Sequence, residues 1–293
     1  MRLVSLLLLG LPGLFGQVLS SSADPLSKAE DLYRHTDYQA SLTLICESRQ
    51  ATDRAYYLTG RNYFMLGDYK QATEVFERAF TMTPGSSEYA LWLGRSFGRR
   101  AETAPFFAAR YASKARAYFE KAVALDPKND EALNDLFHYY LEAPGFLGGG
   151  YNKAEGIAQR IAELNPTEGH FAQAQLADQR QQFDTAEEQL RRALELGPGQ
   201  VGRVLDFARN LARHGRISES EAAFDQAERL EPNSPKVAFA RARIYIEQKR
   251  NLDQAKALLT QYLQSNLTTD DPSREEAEKL LQEAARLLEA SGA

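Results

Sequence analysis

The sequence predicts an all-α solenoid of stacked helix–turn–helix units. Three observations carry this. Apolar residues recur at helical spacing along almost the whole chain after residue 24. Alanine and glycine return at matching places in successive segments, and each segment closes on a proline. No interior stretch alternates apolar and polar residues as a strand would.

The elements follow in order. Met1-Arg2, the apolar run "LVSLLLLGLPGLFGQVL" and "SSSAD" read as a secretory signal peptide over residues 1–23, with cleavage before Asp24. The mature chain is then expected in an exported, periplasmic or extracellular compartment. An uncleaved anchor stays the alternative, although the run is at the lower limit for spanning a bilayer. A degenerate first unit covers about 24–52. Units at 53–86, 87–129, 130–166, 167–200, 201–234 and about 235–269 follow, and "DPSREEAEKLLQEAARLLEA" supplies a capping helix at 271–290.

The repeat shows when "RAYYLTGRNYFMLGDYKQATEVFERAFTMTP" (54–84) is set against "GRVLDFARNLARHGRISESEAAFDQAERLEP" (202–232). Gly60, Gly94, Ala174, Ala208 and Ala242 share one small site in the first helix. Ala72, Ala115, Ala154, Ala186 and Ala255, and then Ala79, Ala122, Ala193 and Ala227, share two small sites in the second. Phe76, Phe119, Leu190 and Phe224 are the bulky residues between them. Pro84, Pro127, Pro166, Pro198 and Pro232 end the units, since proline cannot extend the hydrogen-bond ladder. These residues resemble the tetratricopeptide repeat, a 34-residue unit. The resemblance implies a right-handed superhelix, no catalysis, and recognition of a protein partner through a curved inner face.

Two units break the regular spacing. Phe137 to Ala154 is five residues longer than usual, through "APGFLGGGY", and Gly94 to Ala115 is nine longer, through "GRRAETAPFFAARYAS". Equivalent turns share an edge of a solenoid, so both inserts are expected side by side, bringing Phe106, Phe107, Phe146 and Leu147 together. Either these residues pack on one another or they form a docking lip. An "AP…GG" turn in mid-array resembles a subset of exported bacterial tetratricopeptide proteins. The glycines do not form a phosphate loop: Lys153 has no following Ser or Thr, and no strand precedes it.

The resemblance puts the first helix of each unit on the concave face. There Arg61, Arg95, Arg209 and Arg243 form a basic stripe, joined by Arg99 and Arg213, with Tyr57, Phe171 and Phe239 interleaved. Guanidinium groups suit carboxylates, so the stripe points to an acidic peptide partner. Alternatively the arginines pair internally with Glu88, Glu131, Asp178, Asp206 and Glu247. The two-carboxylate clamp for chaperone tails is not reproduced, because Glu131 and Asp135 stand where that clamp needs cations.

Net charge is −5, which gives no reason to expect nucleic acid. The four histidines form no ligand pair, and the single Cys46, in the apolar run "LTLIC", is expected to be buried and unable to form an intramolecular disulfide. No cofactor, metal or catalytic set is indicated. The expected function is a non-enzymatic scaffold. The alternative is an accessory solute-handling component resembling the T components of tripartite transporters, which would require a closed oligomer.

Overall fold

The computed structural model describes residues 24–268 and 271–291; the expected leader at 1–23 lies outside them. Among the described residues, fifteen α-helices stack in antiparallel pairs and no strand occurs. The first pair is α1 (Pro25–Arg34) and α2 (Tyr38–Ser48). Then follow α3 (Asp53–Met65) with α4 (Tyr69–Met82), α5 (Ser87–Thr103) with α6 (Ala108–Leu125), and α7 (Asp130–Glu142) with α8 (Tyr151–Leu164). Next come α9 (Pro166–Gln179) with α10 (Phe183–Leu196), α11 (Val201–Arg213) with α12 (Ile217–Leu230), and α13 (Pro235–Glu247) with α14 (Leu252–Gln264). The last helix, α15 (Arg274–Ser291), packs on α14 and α13. The expected all-α solenoid is therefore what the chain forms.

Local chemistry sets the helix starts. Thr52, Ser86, Asn129 and Asn165 each accept a backbone N–H of the first turn of α3, α5, α7 and α9, at 3.1, 3.2, 3.0 and 3.1 Å. Packing within a pair depends on the small sites. A Cβ on Gly60 would stand 2.6 Å from the Phe76 ring, and one on Gly94 would stand 2.5 Å from the Phe119 ring. The aromatic face therefore lies directly on the helix backbone, where only hydrogen leaves room. Ala72, Ala79, Ala115, Ala122 and their equivalents are fully buried.

The first insert lengthens its helices rather than forming a long turn. α5 and α6 run 17 and 18 residues, against 13 and 14 in the next pair. At 1.5 Å per residue the tip of this pair projects roughly 6 Å beyond its neighbours. The second insert is a genuine loop between helices of ordinary length.

Cys46 is exposed, not buried as expected. α2 turns Ser41, Leu42 and Ile45 inward. A five-residue apolar run wraps past one helical face, and the terminal pair has a neighbour on one side only.

Two departures from regularity matter for the inner face. Successive inner helices touch, except that α9 and α11 stand apart. A polar cluster occupies that seam. The array also curls until its ends approach: Thr36, Tyr38, Met65 and Leu66 face Asp271 and Arg274 across a cavity of about 230 Å³. Burial, the nearby Tyr33 hydroxyl adding to it, pushes Tyr38 up to about 12 there.

A carboxylate hub ties α12 to α13. Glu221 takes both Arg241, at 2.7 Å, and the Tyr245 hydroxyl, at 2.9 Å, and pairs with Arg250 at 2.7 Å. Burial alone would raise this carboxyl, but its donors outweigh that and hold it below its ordinary value. An acid with a lowered native pKa contributes stability that is present above its unfolded pKa and lost as pH falls through the folded value. Glu221→Gln is thus expected to cost about 1 kcal/mol at pH 7, allowing for solvent screening. The gap from wild type should narrow as pH drops below about 4 in paired denaturant titrations. A constant gap down to about pH 3 would contradict the role of its charge.

Candidate interaction surfaces

The concave face is built by α3, α5, α7, α9, α11 and α13. A hollow of about 470 Å³ lies between α5 and α7. Phe64, Trp92, Phe119 and Tyr139 give it apolar walls, and Arg99 and His138 stand on its polar rim. Phe64 meets Trp92 edge-on with ring centres 5.3 Å apart. A smaller hollow of about 170 Å³ lies in the α9–α11 seam, lined by Phe171, Asp178, Asp206 and Arg209 among others.

The arginine stripe is engaged internally. Arg95 holds Asp135 at 2.6 Å and Glu131 at 2.9 Å. Arg209 pairs with Asp206, which also takes Arg203 at 2.8 Å. Arg243 reaches Glu247 at 3.0 Å and Glu276 of α15 at 3.4 Å. Arg61 instead lies among rings, 4.3 Å from the centre of Tyr33, 5.3 Å from Trp92 and 5.5 Å from Tyr57. Burial lifts the carboxyl of Asp206 above its ordinary value, against the pull of Arg209 and Arg203. Asp178 is raised for the same reason, opposed by His214 and a hydrogen bond from Asn210.

Tyr57 and Phe239 are placed in the core rather than on the groove surface. Tyr57 donates its hydroxyl to Glu88, and Phe239 packs on Tyr262. Phe239 fills the space within its own pair and Tyr57 reaches Phe76 of its own pair and Trp92 of the next, which leaves both little surface for a partner. Phe171 is half-buried, with the Arg203 guanidinium 4.2 Å from its ring centre. The hollow formed by Trp92, Phe64 and Tyr139 is not among the sites that the sequence points to, since its aromatic residues are spread over α3, α5, α6 and α7.

The inserts are not side by side in contact. Phe106 is 99% exposed and Phe146 is 83% exposed, and neither ring meets another among the described residues. Phe107 leans on Tyr111, with centroids 6.0 Å apart, and remains 53% exposed; Leu147 is half-buried. The expectation of mutual packing fails because the first tip rides out on longer helices. The second folds down on α6, where Arg116 and the Tyr139 hydroxyl donate to the Leu147 carbonyl at 3.3 and 2.9 Å.

The glycines of the second insert serve this backbone path. Gly148 has φ +89°, and a Cβ on Gly149 would lie 1.8 Å from the Ala143 carbonyl oxygen. Lys153 donates to the Gly148 carbonyl at 2.8 Å. The stretch is a braced turn.

Comparison with known proteins agrees with this architecture. Models of the tetratricopeptide repeat match residues 53–86, 110–129 and 205–272. The chain carries tetratricopeptide repeats. No curated protein matches it significantly. A thermophilic tetratricopeptide protein of Thermus thermophilus aligns at 23% identity and TM-score 0.53, over 64% of this chain and 97% of that one. A tetratricopeptide repeat protein of Parabacteroides merdae aligns at 15% identity and TM-score 0.59, over 89% of this chain and 97% of that one. At these identities the likeness concerns the fold. Tetratricopeptide arrays are interaction scaffolds, and no described helix is long and apolar enough to cross a membrane.

Proposed function

We propose that this tetratricopeptide array is a non-enzymatic scaffold of the periplasm or cell exterior. It holds an extended segment of a partner protein against the concave wall of α3, α5 and α7. The hollow of about 470 Å³ between α5 and α7 carries this reading. Its aromatic walls suit an apolar or aromatic side chain of the partner, and Arg99, His138 and the carboxylates Glu102 and Glu142 surround it with polar groups that fix orientation. Arg95 is committed to Asp135 and Glu131, and Arg99 holds Glu102 and the Tyr69 hydroxyl, so the hollow offers shape and apolar surface rather than a free positive charge. Export rests on the leader-like sequence at 1–23.

The test is capture from the native envelope with mass spectrometry, wild type beside Arg99→Glu/His138→Ser. Both residues stand on the rim and are nearly half exposed, at 47% and 43% of the side chain, so the variant should stay folded. A photo-crosslinker at position 138 reports contact directly. The expected result is a partner that crosslinks at 138 and is lost from the variant. A partner captured equally by both proteins, with no crosslink, would remove the hollow from the mechanism.

A further inference from the structure

We infer that the rim carrying the two inserted turns docks on an anionic lipid surface. This surface meets the concave hollow only at Arg99, Glu102 and Glu142. Phe106, Phe107 and Phe146 stand at the tips of two short 3-10 turns, Pro105–Phe107 and Gly145–Leu147. The two tips belong to one edge, because both turns pack on α6, the first at its start and the second at Arg116. Phe106 and Phe146 are the two most exposed large apolar side chains among the described residues, and Phe107 adjoins the first.

Charge indicates what covers it. The inserts and their flanks, 99–116 and 142–156, hold six cations against three acids, in a chain whose net charge is −5. Most of these cations differ from those of the groove. The groove residues Arg95, Arg209 and Arg243 each hold a carboxylate. At the rim only Arg99 and Arg116 do so, facing Glu102 and Glu120. Arg100 turns instead to the Tyr111 hydroxyl, Lys114 to the Phe97 ring, and Lys153 to a backbone carbonyl. Arg110, three residues after Phe107, is exposed and makes no ion pair among the described residues. The rim therefore presents isolated aromatic points amid cations left free of acids.

Shape separates a bilayer from a protein here. Phe106 and Phe146 stand apart, each almost fully exposed and without a ring neighbour among the described residues. A protein would need two matching sockets at that spacing. A lipid interface accepts separate aromatic points anywhere, while neighbouring Lys and Arg engage its anionic headgroups.

Phe106→Trp and Phe146→Trp, each in the full chain, test this. Trp92 is the only other tryptophan and lies in the hollow, so it serves as the internal control. With vesicles of phosphatidylcholine and phosphatidylglycerol, both introduced tryptophans are expected to shift to shorter wavelength and become protected from acrylamide. Trp92 in the otherwise native chain should not respond. Vesicles of phosphatidylcholine alone should give no shift. Salt near 1 M, where the screening length falls to about 3 Å, should reverse it. Arg110→Glu/Lys153→Glu should weaken the tryptophan response by about twentyfold or more, at about fivefold for each cation lost. No shift on anionic vesicles overturns the proposal, and so does an equal shift on neutral ones. A shift produced by a purified partner protein but not by vesicles assigns the rim to that protein and overturns it as well.

Discussion

Phe76→Ala is expected to destabilise the array by about 3–5 kcal/mol, the range for truncating a fully buried phenylalanine. Phe76 has no exposed surface. Its ring lies against Gly60, with Tyr57 and Trp92 at 5.9 and 5.8 Å between centres. Glycine cannot move a side chain into the space left behind, so the cavity stays open. Because each pair packs on its neighbours along the array, and the two ends meet only across a cavity, the damage should be local. Hydrogen exchange should speed up in α1 to α5 and barely change in α11 to α14. Trp92 emission should report the same transition. A cost below about 1 kcal/mol, or exchange that rises uniformly, would show that Phe76 is not the wedge between these pairs.

The same contact explains how much of the fold could be read beforehand. Gly60 with Phe76, and Gly94 with Phe119, meet through steric fit between two helices joined by a short turn. Residue size at fixed spacing encodes such a fit, so the pairing was legible. Partner choice among charges was less so. The acids expected to face the arginines include Glu131 and Asp206, but the nearer partner of Arg95 is Asp135, and Arg209 takes Asp206 from three residues before it on the same helix rather than from a neighbour. Long side chains choose among several acids within reach, and sequence spacing does not rank them. The hollow was hidden for a related reason. Its walls come from four different helices, so no single stretch of sequence displays it. The inserts were visible by length alone. Whether extra residues extend helices or loop out depends on their propensity: "RRAETAPFFAARYASKA" favours helix on both sides of Pro105, while "APGFLGGG" does not.

Asp206 offers the sharpest test of what the groove arginines do. It lies in the seam where α9 and α11 stand apart, and it carries Arg203 and Arg209 together. Arg203 also reaches Glu168 on α9, so this network bridges the seam beside the apolar cluster that Phe171 and Ala174 join. Asp206→Ala would leave two guanidinium groups, of which Arg203 is only 19% exposed, short of a counter-charge. Removing one partner of a buried pair typically costs about 3–5 kcal/mol. With Arg209 at 35% exposed and Glu168 still present, about 3 kcal/mol is expected here. The reverse truncation should be mild. Arg209→Ala leaves Asp206 its bond to Arg203 and should cost under about 1 kcal/mol. The acid's raised native pKa fixes the pH behaviour. Burial, outweighing Arg209 and Arg203, makes the folded chain bind its proton more tightly than the unfolded chain does. Stability from this group is therefore full below its unfolded pKa and declines as pH rises through the folded value. Asp206→Asn, which keeps shape without charge, should flatten that part of the profile. Equal costs for Asp206→Ala and Arg209→Ala would mean the arginine is not held in place by the acid. Arg209 would then be free to meet an acidic partner, and the groove stripe would regain a binding role.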